Sequence, residues 1–299
     1  MQKSTNLKDK FLKLLVTGSS GFIGSSFLQE KEQNYSVKTF SFQTERLDEL
    51  SVEGVDTVLH LAALVHQPDN NEHETYMIAN YKSTIDLAKK SKEQGVRHFV
   101  FMSSVKVYGE ESKGDCFTED SECNPVDIYG KSKLEAEKAL LLLEDKAFVI
   151  SIIRTPLVYG PGVKANVFNI MKLLSKFTYL PFANIPNRRS MVYIGNLVQL
   201  IELIIMKRAS GIFFASDPKP VSTSYFFSLI SQALHKKARL FYLPGFSFFL
   251  RILKPNTFQK LYTDLCIDAS LTQKKLGFTP RYTTQEGVEK MIRWYKDEH

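Results

Sequence analysis

The sequence predicts an α/β protein built on a doubly wound parallel sheet, with a smaller C-terminal lobe. Three observations carry this. Short apolar runs alternate with helical stretches through the first half of the chain. A glycine-bearing turn joins the first run to the helix after it, and beyond Arg154 the texture changes to Pro and Gly punctuation. Parallel neighbours need crossover connections, so alternation of strand and helix points to a parallel sheet.

The apolar runs are FLKLLV (11–16), SVKTFSF (36–42), DTVLHLA (56–62), RHFVFMS (97–103), AFVISII (147–153) and GIFFA (211–215). Between them, residues 72–94 place Tyr76, Ile78, Ala79, Ile85, Leu87 and Ala88 among charges at helical spacing, and 132–145 reads the same way. After Arg154 come Pro156, Gly160, Pro161 and Gly162, then Pro181, Pro186, Pro218 and Pro220. The expected division is 1–160 as the sheet domain, with 190–216 returning to it, and 161–189 with 217–299 as the second lobe. No internal repeat or low-complexity linker separates the two.

With 299 residues and 43% hydrophobic content, the chain has enough apolar mass for one core and a smaller lobe, which excludes disorder. No apolar run approaches the roughly 20 residues that span a bilayer, and Lys and Asp interrupt the start, so no transmembrane segment and a cytoplasmic location are expected. Cys116, Cys123 and Cys266 lack C-x-x-C spacing and are expected to be reduced thiols; no metal site is expected. His60 and His66 read as packed or solvated imidazoles. The formal charge of +7 suits nucleic acid, a membrane surface or an anionic metabolite. Lys and Arg read as spread along the chain without a basic arm, which speaks against nucleic acid. LFYLPGFSFFLRIL (240–253) is apolar enough for membrane-surface contact, but packing into the core or lobe is the expectation.

In TGSSGFIG (17–24), three glycines allow a sharp turn, close approach to a pyrophosphate and tight helix packing, and the helix N-terminus supplies N–H donors. Its position between a strand and a helix meets the context that a Rossmann dinucleotide site requires. YGKSK (129–133) sets the Tyr129 phenol and the Lys133 ammonium four residues apart on one helix face. The ammonium is expected to lower the tyrosine pKa toward a value useful for proton transfer. Upstream, a strand ends in Ser103-Ser104, where a hydroxyl is placed to bond a carbonyl or alcohol beside the tyrosine.

In that order these segments resemble the extended short-chain dehydrogenase/reductases of the nucleotide-sugar epimerase, dehydratase and reductase group. HLAA (60–63), Asn80 in NYKST, SSVKVYG (103–109), VYGPG (158–162), RSMVYIGNL (189–197) and LGFTP (276–280) extend the likeness over nearly the whole chain. The resemblance implies NAD(P) on Gly18, Gly21, Phe22, Ile23 and Gly24, with Leu61, Ala62, Ala63 and Asn80 on the adenosine and ribose side. It makes Ser104 the catalytic hydroxyl, Tyr129 the acid/base and Lys133 the holder of the nicotinamide ribose. Lys106, Asn166 and Arg189 become substrate contacts, Arg189 gripping the diphosphate of a UDP-sugar with its planar fork; Lys164 stands where uridine contacts begin. A homodimer is also implied.

Departures narrow the reading. The stretch Phe40-Ser41-Phe42-Gln43 lacks the acid that binds the ribose 2′-OH in NAD-preferring members, while Lys38 or Arg46 would attract a 2′-phosphate. Leu157 stands where many members carry Asn, and Ser190 and Asn196 stand where they carry Asp. Ser104-Val105-Lys106 lacks the Asp-Glu of the dehydratases, which leaves two reactions at sugar C4. One is reduction of a UDP-2-acetamido-2,6-dideoxy-4-keto-hexose by NADPH for surface polysaccharide precursors, the reading preferred at this point. The other is 4-epimerisation of UDP-glucose or UDP-GlcNAc with tightly bound NAD. A non-catalytic dinucleotide sensor is the alternative of another class; Ser104, Tyr129 and Lys133 together speak against it.

Overall fold

The computed structural model describes residues 11–65, 72–235 and 239–298. In chain order it contains β1 (Lys13–Thr17), α1 (Phe22–Lys31), β2 (Ser36–Phe40), β3 (Thr57–His60), α2 (Glu72–Tyr76) and a π-helical turn (Met77–Lys82). There follow α3 (Ser83–Glu93), β4 (His98–Ser104), a 3-10 turn (Val105–Val107), α4 (Ile128–Leu141), β5 (Val149–Thr155), β6 (Leu157–Tyr159) and α5 (Ala165–Lys176). The chain continues through β7 (Tyr179–Leu180), β8 (Met191–Tyr193), α6 (Ile194–Lys207), β9 (Gly211–Phe214), α7 (Thr223–Ala233) and β10 (Arg239–Leu240). It closes with α8 (Phe246–Leu253), α9 (Pro255–Tyr262), α10 (Ser270–Leu276) and α11 (Thr284–Glu298).

All six apolar runs become strands of one sheet, in the order β2-β1-β3-β4-β5-β9. Leu14, Leu15, Val16, Val58, Leu59, Phe99 and Val100 are wholly buried, as strands covered on both faces require. Leu87 and Ala88 of α3 and Ala136 and Leu140 of α4 pack in one core cluster with Leu15, Val58, Phe99, Phe101 and Ile152. Parallel pairing sets Thr17 of β1 beside Phe40 of β2 on one side and His60 of β3 on the other. Strand order reverses between β1 and β3, and that reversal opens a crevice at the strands' carboxyl ends. His60 pins it: its Nδ1 lies 2.6 Å from Thr17 Oγ1 and its Nε2 2.9 Å from Thr84 Oγ1. His66 lies outside the described residues.

The residues fall into two compact units. The first is drawn from Met1–Val107, Cys123–Arg154 and Leu200–Phe213, the second from Tyr108–Glu122, Thr155–Gln199 and Phe214–His299. The expected division thus changes at three places: 108–122 joins the second unit, the first unit ends at Arg154 and not at 160, and the returning segment is 200–213. Long-range pairing explains the first change. Phe117 N–H donates to Cys266 O (2.8 Å), Asp268 N–H to Phe117 O (2.8 Å) and Cys266 N–H to Ser112 Oγ (2.9 Å). This register sets two thiols side by side, and Cys116 and Cys266 form a disulfide across 150 residues, against the expectation of reduced thiols. Cys123 is free.

Within the second unit Asp217 gathers polar groups in a buried cluster. Tyr159 Oη donates to it at 2.6 Å, Tyr193 N–H at 2.9 Å and Asn196 Nδ2 at 2.8 Å. At Asn196 the resemblance to the family had implied Asp. Here the amide donates to a carboxylate, whereas a second carboxylate would repel it. The expected packing of 240–253 is not found: α8 has no buried residue, and Phe241, Tyr242, Leu243, Phe248 and Phe249 are exposed. Among the described residues no helix is long and apolar enough to cross a membrane, and no cluster of three His, Cys, Asp or Glu could hold a metal ion.

Two buried histidines make the fold acid-sensitive. Burial drives His60 down to about 3, with Lys133 adding repulsion, and drives His98 down to about 3, with Arg208 adding to it. Below an ordinary pKa near 6.5 the unfolded chain binds these protons and the native state refuses them, so stability present at pH 7 is lost as pH falls toward 3. By pH 5 the loss is about 2 kcal/mol per histidine. Urea midpoints measured from pH 7 to pH 5 should fall accordingly, and His98→Gln should remove about half of that slope.

Candidate active site

Three pieces of the first unit, β4, the turn Val105–Val107 and α4, bring the predicted catalytic residues together. β4 ends in Ser103-Ser104, and alternation along the strand turns the two hydroxyls to opposite faces. Ser103 Oγ makes a short hydrogen bond to Glu137, whose carboxylate also takes Arg154 Nη2 at 2.6 Å in a buried ion pair. Ser104 Oγ instead accepts from Lys106 N–H at 3.3 Å, and its hydroxyl is near enough to the Tyr129 phenol to pull that group's pKa down. Geometry therefore separates the two serines: Ser103 is tied to the buried Glu137, and Ser104 is left on the side of Tyr129.

The turn Val105–Val107 carries the chain away from Ser104 and supports α4. Asp127 caps α4, accepting from Gly130 N–H at 2.7 Å, and forms an ion pair with Lys106 Nζ at 2.6 Å. A Cβ built on Gly130 would lie 2.6 Å from Lys106 O, so glycine is what allows the helix to rest on this turn. The contact sets Tyr129 against Ser104. Lys106, expected at the substrate, is thus paired with the cap of the helix that carries the tyrosine.

Tyr129 is half-buried. Desolvation and the Asp127 carboxylate push its pKa up, the Ser104 hydroxyl pulls it down, and Tyr76, with its ring centroid 6.5 Å away, adds a small upward push. The phenol is therefore the resting form. The spacing-based expectation that Lys133 lowers this pKa is not met. Lys133 Nζ donates to Met102 O (2.8 Å) and lies 4.4 Å over the Phe101 ring. Its own pKa is depressed to about 7 by burial, against an opposing pull from Glu137.

The glycine turn sits at the sheet's reversal point. Gly18 has φ +70°, and a Cβ there would come within 2.6 Å of Ala62 N, so this turn and the Leu61-Ala62 segment approach backbone to backbone. Gly24 abuts the Gly18 carbonyl with no room for a side chain. The N-cap of α1, Gly21, makes no side-chain cap bond, and the first turn, with Phe22 and Ile23, holds no acid. Such an end suits an anion, so these residues fit the pyrophosphate of a dinucleotide. Ala63, in the segment after β3, is exposed. Asn80 is fully buried: its Oδ1 accepts from Leu64 N–H (2.8 Å), and its Nδ2 donates to Leu64 O (3.0 Å) and Ser132 Oγ (3.1 Å). It clamps the 61–64 segment to α4, and with both amide hydrogens committed it acts on the cofactor crevice indirectly.

Sequence matching missed Glu45. Its carboxylate accepts from Ser41 N–H at 2.8 Å, just past β2, where Phe40–Gln43 supplies no acid. The turn that brings it back, closed by Glu45 N–H to Ser41 O at 2.9 Å, is a tertiary detail that no strand-end motif encodes. The two cations expected at a 2′-phosphate are engaged elsewhere: Lys38 Nζ donates to Ser51 O, and Arg46 pairs with Asp48 at 2.6 Å.

Arg189 and Asn166 belong to the second unit. The Arg189 backbone pairs with Val221, and its Nη1 donates to Thr263 O at 3.0 Å. Burial lowers its pKa, while Glu110 and Asp264 raise it. Arg188 pairs with Asp264 at 3.3 Å and bonds Gly114 O. Asn166 is exposed in the first turn of α5, after Lys164 at its N-cap.

The family described as NAD dependent epimerase/dehydratase matches residues 14–213. A UDP-glucose 4-epimerase from Vibrio cholerae is 36% identical, covering 92% of this chain and 93% of that protein. An N-acetyl-α-D-glucosaminyl-diphospho-ditrans,octacis-undecaprenol 4-epimerase from Escherichia coli O157:H7 is 26% identical, covering 94% of each. The crystal structure of a UDP-glucuronic acid 4-epimerase from Bacillus cereus with NAD superposes with TM-score 0.77 at 20% identity, covering 96% of this chain and 99% of that one. At that identity the superposition speaks to the fold.

Tyr129→Phe should cut turnover by roughly 100-fold or more while leaving dinucleotide affinity near its starting value. The two serines should separate cleanly in paired kinetic and unfolding assays. Ser104→Ala should lower kcat at near-normal stability, whereas Ser103→Ala should cost about 1–3 kcal/mol of stability through the buried Glu137 carboxylate.

Proposed function

We propose that this chain, which belongs to the NAD-dependent epimerase/dehydratase family, inverts C4 of a UDP-linked sugar by oxidation and re-reduction, using a retained NAD. The observation that carries the reading is the packing of Gly130 on the Lys106 carbonyl, which brings Tyr129 of α4 to the end of β4 at Ser104, in the same unit as the glycine turn. Two hydroxyls side by side can hold one sugar oxygen while one of them exchanges its proton. Ser104 orients O4 and polarises the carbonyl formed there. Tyr129 acts as base only after its own phenol proton has passed to solvent; the phenolate then takes the O4 proton in oxidation and returns it to O4 in reduction. Lys133, fixed by Met102 O and kept half-charged near neutral pH by burial, lies one helical turn from Tyr129 and would hold the nicotinamide ribose. A bound nicotinamide supplies the hydride exchange at C4. Inversion, as opposed to a null cycle, requires the keto sugar to present its other face before it is reduced again. Arg189 would hold the diphosphate through that rotation.

Glu45 supports NAD as the cofactor. A carboxylate at the end of β2 hydrogen-bonds a ribose 2′-OH and repels a 2′-phosphate, while Lys38 and Arg46 are turned to other partners. Reduction of a UDP-2-acetamido-2,6-dideoxy-4-keto-hexose would use the same three catalytic side chains. Its case rested on the missing strand-end acid and an exchangeable NADPH, and Glu45 weakens that case. The identity of the V. cholerae relative also favours 4-epimerisation.

Incubation of the purified enzyme with UDP-glucose and, separately, UDP-GlcNAc, followed by proton NMR, tests the reading. Interconversion of C4 epimers without net cofactor consumption is expected. Stoichiometric NADPH oxidation on a 4-keto sugar, with no epimer interconversion, would make it a reductase. Glu45→Gln should raise the dissociation constant for NAD several-fold and narrow the discrimination against NADP, read by fluorescence titration.

A further inference from the structure

The basic excess of the chain is not evenly spread. Residues 218–263 hold seven Lys and Arg and no Asp or Glu, which leaves 32 basic residues against 32 acidic ones everywhere else. The whole formal charge of +7 therefore belongs to one stretch, and that stretch contains α8 and α9.

α8 is amphipathic with its apolar face outward. Phe246 and Leu250, one turn apart, are half-buried, and the Phe246 ring lies 5.7 Å from that of Phe182. On the other side Phe248 pairs with Ile252 and Phe249 with Leu253 at i,i+4 spacing, all between 62% and 71% exposed. Phe241, Tyr242 and Leu243 extend the exposed apolar surface just before the helix. A soluble surface helix ordinarily points such a stripe at its own core. Its cations flank the stripe: Arg251 and Lys254 at the helix C-terminus, Lys260 on α9 and Arg239 before it, all exposed. Arg251 stacks its guanidinium 5.9 Å from the Phe258 ring, and Phe258 stacks on Tyr262, so the two helices brace each other.

We propose that the α8 face docks on an anionic lipid bilayer, the phenylalanines entering the headgroup–acyl boundary and the flanking cations meeting lipid phosphates. An apolar stripe with aromatic residues, bordered by Lys and Arg and free of acids, has the chemistry of an in-plane interfacial helix. Charge selects this occupant. A second copy of the chain would oppose one acid-free basic stretch to another, whereas an anionic bilayer matches it. The proposal goes beyond the C4 reaction and does not rest on it.

Co-sedimentation of the full chain with vesicles tests it. The protein should pellet with vesicles containing phosphatidylglycerol, less so with pure phosphatidylcholine, and less as salt is raised. Phe248→Ser with Phe249→Ser should lower the partition coefficient about tenfold or more. Arg251→Glu with Lys254→Glu should do the same for anionic vesicles while leaving the apolar stripe intact. Thermal unfolding midpoints near that of the wild type would show that both variants fold, and if the serine variant does not, the charge-reversal variant decides. Absence of pelleting, equal pelleting with both lipids, or unchanged pelleting of both variants overturns the proposal. So does a dimer, seen by sedimentation velocity, that the serine substitutions dissociate while vesicles are ignored.

Discussion

The close approach of Gly130 to the Lys106 carbonyl is the constraint on which the candidate site depends. A helix can lie that near a turn only where it lacks a side chain, and α4 does so one residue after Tyr129. The same turn begins one residue after Ser104. One contact therefore fixes two hydroxyls relative to each other, and Asp127 reinforces it by capping α4 while pairing with Lys106. Asn80 holds the other side, joining α4 at Ser132 to the segment after β3. Tyr129 is thus positioned by backbone packing and buried polar bonds, which deform far less readily than a mobile side chain.

The electrostatics follow from this packing and differ from what spacing alone suggests. Four residues along a helix put Lys133 and Tyr129 on one face, but β4 supplies the partners that Lys133 takes: the carbonyl of Met102 and the face of Phe101. With Lys133 turned inward, the medium around the phenol decides, and desolvation keeps it protonated. Below β4 the Glu137–Arg154 pair balances charge in the core and fixes Ser103 on the far side of the strand from the chemistry. A buried pair of this kind adds little net stability, and its loss would strand one charge.

Much was legible in the residues. The six strands, the glycine turn, Ser104, Tyr129 and Lys133 could be read because each is set by local periodicity or by a spacing within one element. What escaped was tertiary. Glu45 reaches the end of β2 through a turn whose closure depends on Ser41, and Asp127 earns its role only once Lys106 is beside it. Cys116 and Cys266 meet because two distant segments pair in register. For α8 the pattern was seen and its direction was not: an i,i+4 apolar stripe has the same period whether it faces the core or the solvent. The Asn196–Asp217 bond shows the reverse case, a departure from the family pattern that the neighbouring carboxylate explains.

The central claim is that helix-on-turn packing, and not the identity of the catalytic side chains alone, makes the site competent. Steady-state turnover of Gly130→Ala, measured beside its dinucleotide affinity, tests it most directly. The account predicts a fall in kcat of roughly tenfold or more, because a displacement of a few tenths of an ångström separates Tyr129 from Ser104, with affinity for NAD changed less than about twofold, a range that matters little to binding. Turnover equal to that of the wild type would contradict it.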